Sequence, residues 1–527
     1  MEIVDDIAVR LTLPSEYADR VLRWVGRSAL AQDLGSTKSI VVYWDQRETE
    51  YLTRVADELR PNMALDIPSP LLRDYKWPGV HKPFDHQRDT ASFLSIRSRA
   101  FCFNEAGTGK TSAAIWAADY LMNLGLVRRV LVVCPLSIMF TAWRDEVFKA
   151  AMHRSCFVAY GSNEKRRRII AHPYEFTIIN YDGVNIVSDA IADAKFDLII
   201  VDEANAYKTV STKRWRTLSK LITPSTRLWM MTGTPASQSP MDAFGLARLV
   251  SPLRVPKYST AWRDTVMYPK TRFKWLPKSD SKEKVFHVLQ PAIRFNKNDC
   301  LDLPPVTYQT RIVPLTVQAQ TYYRKLKQEM LIQAVGEQVS AVNAAAKLNK
   351  LLQISGGATY TDGGNVIEFD IGPRFKALRE VLDETSNKVI VFVPYRHTIT
   401  VVAEYLDNEG FTNDIIMGDV TPKERANIIT KFQTQSDPHV LVIQPQSASH
   451  GVTLTAADTV VFWSPVMSVE TYLQCIGRID RVGQKNKMTV VHLQGSEVER
   501  RVYDMLNSKV DSHNKLIDLY KQELEAE

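Results

Sequence analysis

The chain is predicted to be an α/β protein with two parallel-sheet lobes, a helical insertion and a small N-terminal α+β domain. Three observations predict this. Short apolar strands alternate with helical patterns over residues 76–250, which is how a doubly wound parallel sheet reads. The same alternation restarts at 373 and runs to 510. Between them, 251–372 loses the alternation and carries a long helical stretch at 317–354 with alanine-rich middle turns.

Each element follows from its residues. Within 1–75, residues 7–13 alternate like a half-buried strand, 39–44 read as another, and 48–59 have helical spacing. Pro68 and Pro70 mark the exit from this domain, to which no function is assigned. Lobe one has apolar strands at 101–103, 130–134, 177–179, 198–201 and 228–231. Lobe two has them at 388–393, 439–443, 459–463 and 488–493. Several end in a proline and a polar loop, at Pro135, Pro394, Pro445 and Pro465. A hairpin is expected around Tyr360, flanked by glycine pairs, and an amphipathic helix over 511–527.

Composition narrows the class. A length of 527 residues corresponds to about three or four domain-sized units. The 45% apolar and 24% charged content is that of a globular protein. A net charge of +7 permits a polyanion partner without requiring one. The five cysteines are scattered with no Cys-x-x-Cys pair, which argues against a zinc ribbon or a disulfide framework. The acidic N-terminus is no secretory signal, and no apolar run is long enough to span a bilayer. A cytoplasmic protein with no membrane partner is expected.

Three segments carry chemistry. Asn104-Glu105-Ala106-Gly107-Thr108-Gly109-Lys110-Thr111 lies between an apolar strand and a helical pattern. Backbone N–H groups of such a loop, with the helix N-terminus behind them, point at phosphate oxygens. Gly107, Thr108 and Gly109 would cradle the phosphates, Lys110 would reach the β- and γ-phosphates, and Thr111 would hold Mg²⁺. The strict pattern has glycine where Asn104 stands. In Asp197-Leu198-Ile199-Ile200-Val201-Asp202-Glu203-Ala204, a buried strand runs into two carboxylates. Ligands bind at that end of an open parallel sheet. Asp202 is expected to hold Mg²⁺ through its water shell and Glu203 to polarise the attacking water. In the stretch from Gln474 to Gln484, Arg478 and Arg481 are three apart, so a helix would put them on one face. Two guanidiniums suit the charge spread over a transferring phosphoryl group.

Taken in order from Phe84 to Leu506, these blocks resemble the SWI/SNF-type ATPases of helicase superfamily two, over roughly four fifths of the chain. The compact form is similar to bacterial and bacteriophage members. The resemblance implies RecA-like lobes and assigns further residues. Lys82-Pro83-Phe84-Asp85-His86-Gln87 matches the adenine-recognition segment, with Gln87 on the base. Residues 131–137, through Ser137, with Trp143 and Glu146, match a segment touching one DNA strand, and Asn180-Tyr181 the next such element. Thr232-Gly233-Thr234-Pro235-Ala236-Ser237 matches the motif coupling hydrolysis to motion. Arg294, Lys297, Asp299 and Leu303-Pro304 match the entry to the second lobe. Gly418-Asp419-Val420-Thr421 with Arg425, then Ser447 to Asp458 including Gly451, continue the order. Three positions depart from the family: Asn205 and Asp480 stand where histidine is usual, and Ala448-Ser449 replaces a glycine pair.

The resemblance implies an ATP- and Mg²⁺-dependent double-stranded DNA translocase, in which closing lobes bring Arg478 and Arg481 to the ATP. Its partner would be duplex or forked DNA, read with little sequence specificity; the chain is expected to be a monomer in isolation, with a protein partner left open. A strand-separating helicase on DNA or RNA is the alternative. A nucleic-acid-binding scaffold with a degenerate ATP site is a third reading. Candidate phosphate tracks are Lys165-Arg166-Arg167-Arg168, Lys213-Arg214 with Arg216, and Lys270, Arg272 and Lys274 near Trp262 and Trp275. Basic residues interleaved with aromatics suit such tracks.

Overall fold

The structure, a computed structural model, describes residues 1–59, 66–236, 239–269, 275–300, 303–336, 341–360, 365–448 and 453–506. The expected C-terminal helix, the cluster Lys270, Arg272 and Lys274, and Gly451 lie outside the described residues. The chain forms two units that divide after Cys300.

The first unit holds two sheets. Residues near the N-terminus form an antiparallel sheet of Glu2–Val4, Ala8–Pro14, Thr37–Tyr43 and Ser28–Asp33, in that order. Helices Ser15–Trp24 and Gln46–Leu59 accompany it. Arg227 pairs with Glu50 at 2.8 Å and Arg97 with Asp57 at 3.1 Å, which fastens this sheet's second helix to the larger sheet.

That larger sheet has seven parallel strands in the order Ala292–Ile293, Arg99–Cys102, Arg227–Met231, Leu198–Asp202, Val130–Cys134, Phe176–Asn180 and Cys156–Val158. Successive side chains point to opposite faces, and both faces are covered. Leu131, Val133, Ile199, Val201, Leu228 and Met230 enter one core. Val130, Val132, Leu198, Ile200, Trp229 and Met231 enter the other. This double burial is why these strands read as unbroken apolar runs.

The second unit repeats the plan with six parallel strands: Val306–Ile312, Met488–Gln494, Ala457–Phe462, Lys388–Phe392, Val440–Ile443 and Asn413–Ile416. Ile390, Phe392, Val460 and Phe462 face one core, and Val389, Val391 and Val461 the other. The span expected as a helical insertion is divided. Helices Val317–Gly336 and Ala341–Gly356 and the hairpin Ala358–Tyr360 with Val366–Glu368 are present. Yet Ala292–Ile293 joins the first sheet and Val306–Ile312 the second. Among the described residues no helix is long and apolar enough to cross a membrane.

The second unit contains a titrating core group. His492, on the strand Met488–Gln494, stacks on Tyr503 at 4.3 Å, and its Nε2 lies 2.9 Å from the Tyr472 hydroxyl. Burial lowers its pKa from 6.5 to about 4. A base whose folded-state pKa is depressed resists the proton only when folded. Stability is therefore full above pH 6.5 and lost as pH falls towards 4, by roughly 3 kcal/mol for a shift of this size. Urea unfolding across that window should show the loss, and His492→Phe should flatten it. An unchanged slope in the variant would assign the loss to other groups.

Candidate ATP-hydrolysis site

The register of three strands builds the first unit's site. Met231 pairs with both Cys102 and Asp202, so these strands end level at their C-terminal edge. The loops after them, 103–109, 203 and 232–236, start side by side. A Cβ on Gly233 would lie 3.4 Å from Ala106 N and 3.5 Å from the Asn104 carbonyl, so two of these loops touch.

The glycine loop leads into the helix Lys110–Asn123. Gly107 and Gly109 take φ of +91° and +77°, a region that favours glycine. Gly109 has a second reason to lack a side chain: a Cβ there would come within 1.9 Å of Gln87 Nε2. Gln87 braces the loop, donating to the Thr108 carbonyl at 3.2 Å and accepting from Phe84 N at 3.0 Å. His86 Nε2 lies 2.8 Å from the same carbonyl, which can only accept, so that nitrogen carries the proton. Asn104 gives the departure from glycine a structural use. It is buried, donates to Thr90 Oγ1 at 2.8 Å and accepts from Phe295 N at 3.0 Å. Glu105 Oε2 accepts from Lys297 N at 2.9 Å, so the segment 294–299 ties back to this loop within the first unit.

Asp202 is 4% exposed. Its Oδ2 accepts from Trp143 Nε1 at 3.0 Å and its Oδ1 from Glu203 N at 3.0 Å. Burial pushes its pKa up against the pull of the Lys110 charge. Glu203 is half-buried with φ +48°, a left-handed conformation unusual for a residue with a side chain. The Tyr181 hydroxyl donates to the carbonyls of Asp202 at 2.6 Å and Glu203 at 3.2 Å. Asn205 donates to Thr234 O at 2.9 Å and Thr234 Oγ1 at 3.0 Å, joining the Asp202 loop to the 232–236 loop despite the missing histidine. The Cys102 thiol, behind the loop, is pushed up to about 11 by burial, so it packs as a neutral group.

Several expectations for nucleic-acid contacts are corrected. Trp143 is wholly buried and spends its indole N–H on Asp202, so it positions a carboxylate and cannot touch a strand. Glu146 turns inward to accept from Ser112. Arg166 is 7% exposed and donates to the carbonyls of Ala159 and Gly161 and to Asn180 Oδ1. Arg167 pairs with Asp189 at 2.7 Å. Only Lys165 and Arg168 of that cluster are exposed. Trp262 is buried and donates to the Pro240 carbonyl at 3.1 Å, so it is no stacking platform. Ser137 is half-buried in the turn Leu136–Ile138.

In the second unit the helix carrying Gln474 ends at Ile476 with Gly477 as its cap. Arg478 and Arg481 therefore lie in the turn beyond it and not on one helical face, because the chain leaves the helix at Gly477. Arg478 is 2% exposed and its Nε donates to the Gln474 carbonyl at 2.7 Å. Arg481 Nε donates to Gly477 O at 2.5 Å, and its Nη1 reaches Thr453 Oγ1 at 3.4 Å. Gln484, given no role by the sequence, staples this turn: its Nε2 donates to Ala457 O at 2.8 Å and its Oε1 accepts from Lys485 N at 3.0 Å. Arg425 Nη1 reaches the Ser447 carbonyl at 3.5 Å, so those two are brought together.

A glycine loop, a buried Asp beside a Glu and a paired-arginine turn thus stand on parallel sheets in the expected order. Comparison with known proteins decides the family: the SNF2-related domain matches residues 86–356, more than half of the chain. The chain belongs to the SNF2-related family of helicase-like ATPases. The helicase conserved C-terminal domain matches residues 373–483. Among relatives of this SNF2-family chain, the mouse chromodomain-helicase-DNA-binding protein 1-like is 26% identical over 435 residues, 79% of this chain. Putative protein p41 of Acyrthosiphon pisum secondary endosymbiont phage 1 is 25% identical over 445 residues, again 79% of this chain. The chain spans 47% of the mouse protein's length and 94% of the phage protein's. The solved Sulfolobus solfataricus SWI2/SNF2 ATPase core in complex with dsDNA is 20% identical, with a TM-score of 0.41, covering 84% of this chain and 94% of that one.

Proposed function

We propose that this SNF2-family ATPase is a double-stranded DNA translocase that remodels forks, anneals strands or displaces bound proteins at the expense of ATP. The observation that carries the reading is the level ending of three strands at Cys102, Asp202 and Met231, which supports reading the glycine loop and the Asp202–Glu203 pair as parts of one site. Backbone N–H groups of 107–111 would cradle the phosphates, and the Lys110 ammonium would neutralise their β- and γ-oxygens. Gln87 borders the loop where an adenine would be read.

The residues fit a divalent cation. The buried Asp202 carboxylate is held by two neutral N–H donors and feels the charge of Lys110, at the start of the helix that carries Thr111. Mg²⁺ on Thr111, Asp202 and phosphate oxygens would supply further charge neutralisation. Glu203 orients the water and takes its proton as the γ-phosphate is attacked. On this reading Arg478 and Arg481 would add charge stabilisation, a role that their backbone-fixed turn suits. DNA contacts through exposed Lys165, Arg168 and Lys213 would hold phosphates without reading bases.

A triplex assay tests the reading. With ATP, the protein should displace a third strand from a long duplex and leave a simple duplex paired. Hydrolysis stimulated by duplex or forked DNA should accompany this. Unwinding of the simple duplex, or stimulation by single strands or RNA alone, would replace it with a strand-separating helicase. Undetectable turnover with every nucleic acid would leave the scaffold reading.

A further inference from the structure

We propose that Arg214 is a binding position for a backbone phosphodiester of the nucleic acid, and that Tyr181 transmits its occupancy to Glu203. The inference rests on the reading of Asp202 and Glu203 as the hydrolytic carboxylates, and adds how they are regulated.

Arg214 is the second residue of the helix Lys213–Leu221, whose start is capped by Thr212 Oγ1 accepting from Trp215 N at 3.2 Å. Its guanidinium carbon lies 4.7 Å above the Tyr181 ring centroid, and its Nη2 donates to Asp182 Oδ1 at 3.0 Å. Its Nε is buried and makes no hydrogen bond among the described residues. Its Nη2 end, by contrast, is engaged by Asp182, whose side chain is 73% exposed. Exposed pairs of this kind are weak, whereas a phosphodiester offers a guanidinium two parallel acceptors. Exposed Lys213 and Arg216 flank it on the same helix, so an arriving phosphate meets local positive charge and can take Arg214 from Asp182.

Tyr181 stands between this arginine and the carboxylates. Its ring is packed edge-on against the buried Tyr207 at 5.6 Å, and its hydroxyl holds the carbonyls of Asp202 and Glu203. The backbone on its own side is pinned, because Asn180 Oδ1 is bonded to Arg166 and a Cβ on Gly183 would meet Arg166 Nη1 at 2.3 Å. Movement of the ring is therefore passed to the other end, the peptide after Asp202. There Glu203 sits in a left-handed conformation, which neighbouring contacts must maintain. When Arg214 leaves the ring for a phosphate, Tyr181 and the two carbonyls shift together, and the Glu203 carboxylate moves relative to the γ-phosphate. Tyr181 is a positioning residue in this scheme: its hydroxyl is spent on the two carbonyls and its ring lies under Arg214.

The test is steady-state ATP hydrolysis by the full chain with and without a saturating 40-base-pair duplex. Tyr181→Phe removes only the hydroxyl. It should lower the ratio of DNA-stimulated to DNA-free turnover about tenfold, a usual size for coupling between sites, with KM for ATP and Tm retained. Arg214→Ala should lower the same ratio, raise the duplex concentration for half-activation, and reduce the salt slope of duplex binding by about one. Arg214→Lys, which keeps the charge, should restore part of the binding but not the ratio. An unchanged ratio in Tyr181→Phe would overturn the inference, as would equal loss of both rates with a lowered Tm. Glu203→Gln in the same assay separates the two levels: retained hydrolysis there would remove the catalytic reading and this inference with it. Lost hydrolysis there with an unchanged Tyr181→Phe ratio would remove only the inference.

Discussion

Glu203→Gln should lower ATP turnover by about 10²- to 10⁴-fold, the usual contribution of a positioned general base. Binding of nucleotide and duplex should persist. The substitution keeps side-chain volume and replaces an oxygen acceptor by an amide that cannot take the water's proton. The backbone there is held from outside the side chain, by Tyr181 on two carbonyls and by Asp202 Oδ1 on Glu203 N, so the loop should keep its shape. Asp202, Lys110 and Thr111 are untouched, and nucleotide should accumulate unhydrolysed on the protein. Single-turnover hydrolysis beside a nucleotide-binding titration checks both halves. Lys110→Ala should also abolish turnover and leave duplex binding, but it should weaken ATP binding as well, because a phosphate counter-charge is lost. Turnover of Glu203→Gln within tenfold of the parent would remove Glu203 from the reaction.

Most of both large sheets was legible because their central strands are buried on two sides. Val130–Cys134 and Leu198–Asp202 are buried at every residue, so they appear as apolar runs with no face to alternate. The missed strands lack that pressure. Ala292–Ile293 and Asn413–Ile416 are short sheet edges. Val306–Ile312 is an edge strand with mostly exposed residues, so it shows no apolar run, only the β-branched and aromatic residues that strands favour. The same divide separates the proposed site residues. Gly107, Lys110, Asp202 and Glu203 sit in contiguous segments whose chemistry is local. The partners of Asp202 and Glu203 come from elsewhere: Trp143 bonds Asp202 across 59 positions, and Tyr181 reaches its carbonyl across 21. Both residues stand in segments that resemble DNA-contact elements, and only the packing reveals that Trp143 braces the Asp202 carboxylate and Tyr181 the backbone of Asp202 and Glu203. Arg478 and Arg481 are proposed from residue type, and the shared helical face expected of them fails at Gly477, whose local sequence favours leaving a helix.

Arg374→Ala should destabilise the second unit by about 3–5 kcal/mol, the cost of stranding one member of a buried ion pair. Arg374 is 3% exposed and Glu499 fully buried, with Nη2 at 2.6 Å and 2.7 Å from the two carboxylate oxygens. Glu499 also accepts from Gly495 N at 2.7 Å and Ser496 N at 3.1 Å, and Arg374 donates to the Trp463 carbonyl. The pair therefore closes the strands Ala457–Phe462 and Met488–Gln494 just past their C-terminal ends. At their other ends Gln484 staples the turn bearing Arg478 and Arg481. Without Arg374, a desolvated carboxylate keeps only the neutral donors of Gly495 and Ser496, and the strands that frame the arginine turn lose their clamp. Urea unfolding should show the loss, with hydrogen exchange rising first along Met488–Gln494. The double variant Arg374→Leu with Glu499→Leu removes both charges and should lose less stability than Arg374→Leu alone, because an apolar pair leaves no buried charge uncompensated. If the two losses added, the pair would contribute as independent packing groups and the clamp would not be ionic. In the clamped protein, ATP turnover should fail on heating in step with second-unit unfolding, since Arg478 and Arg481 hold their geometry only while these two strands hold theirs.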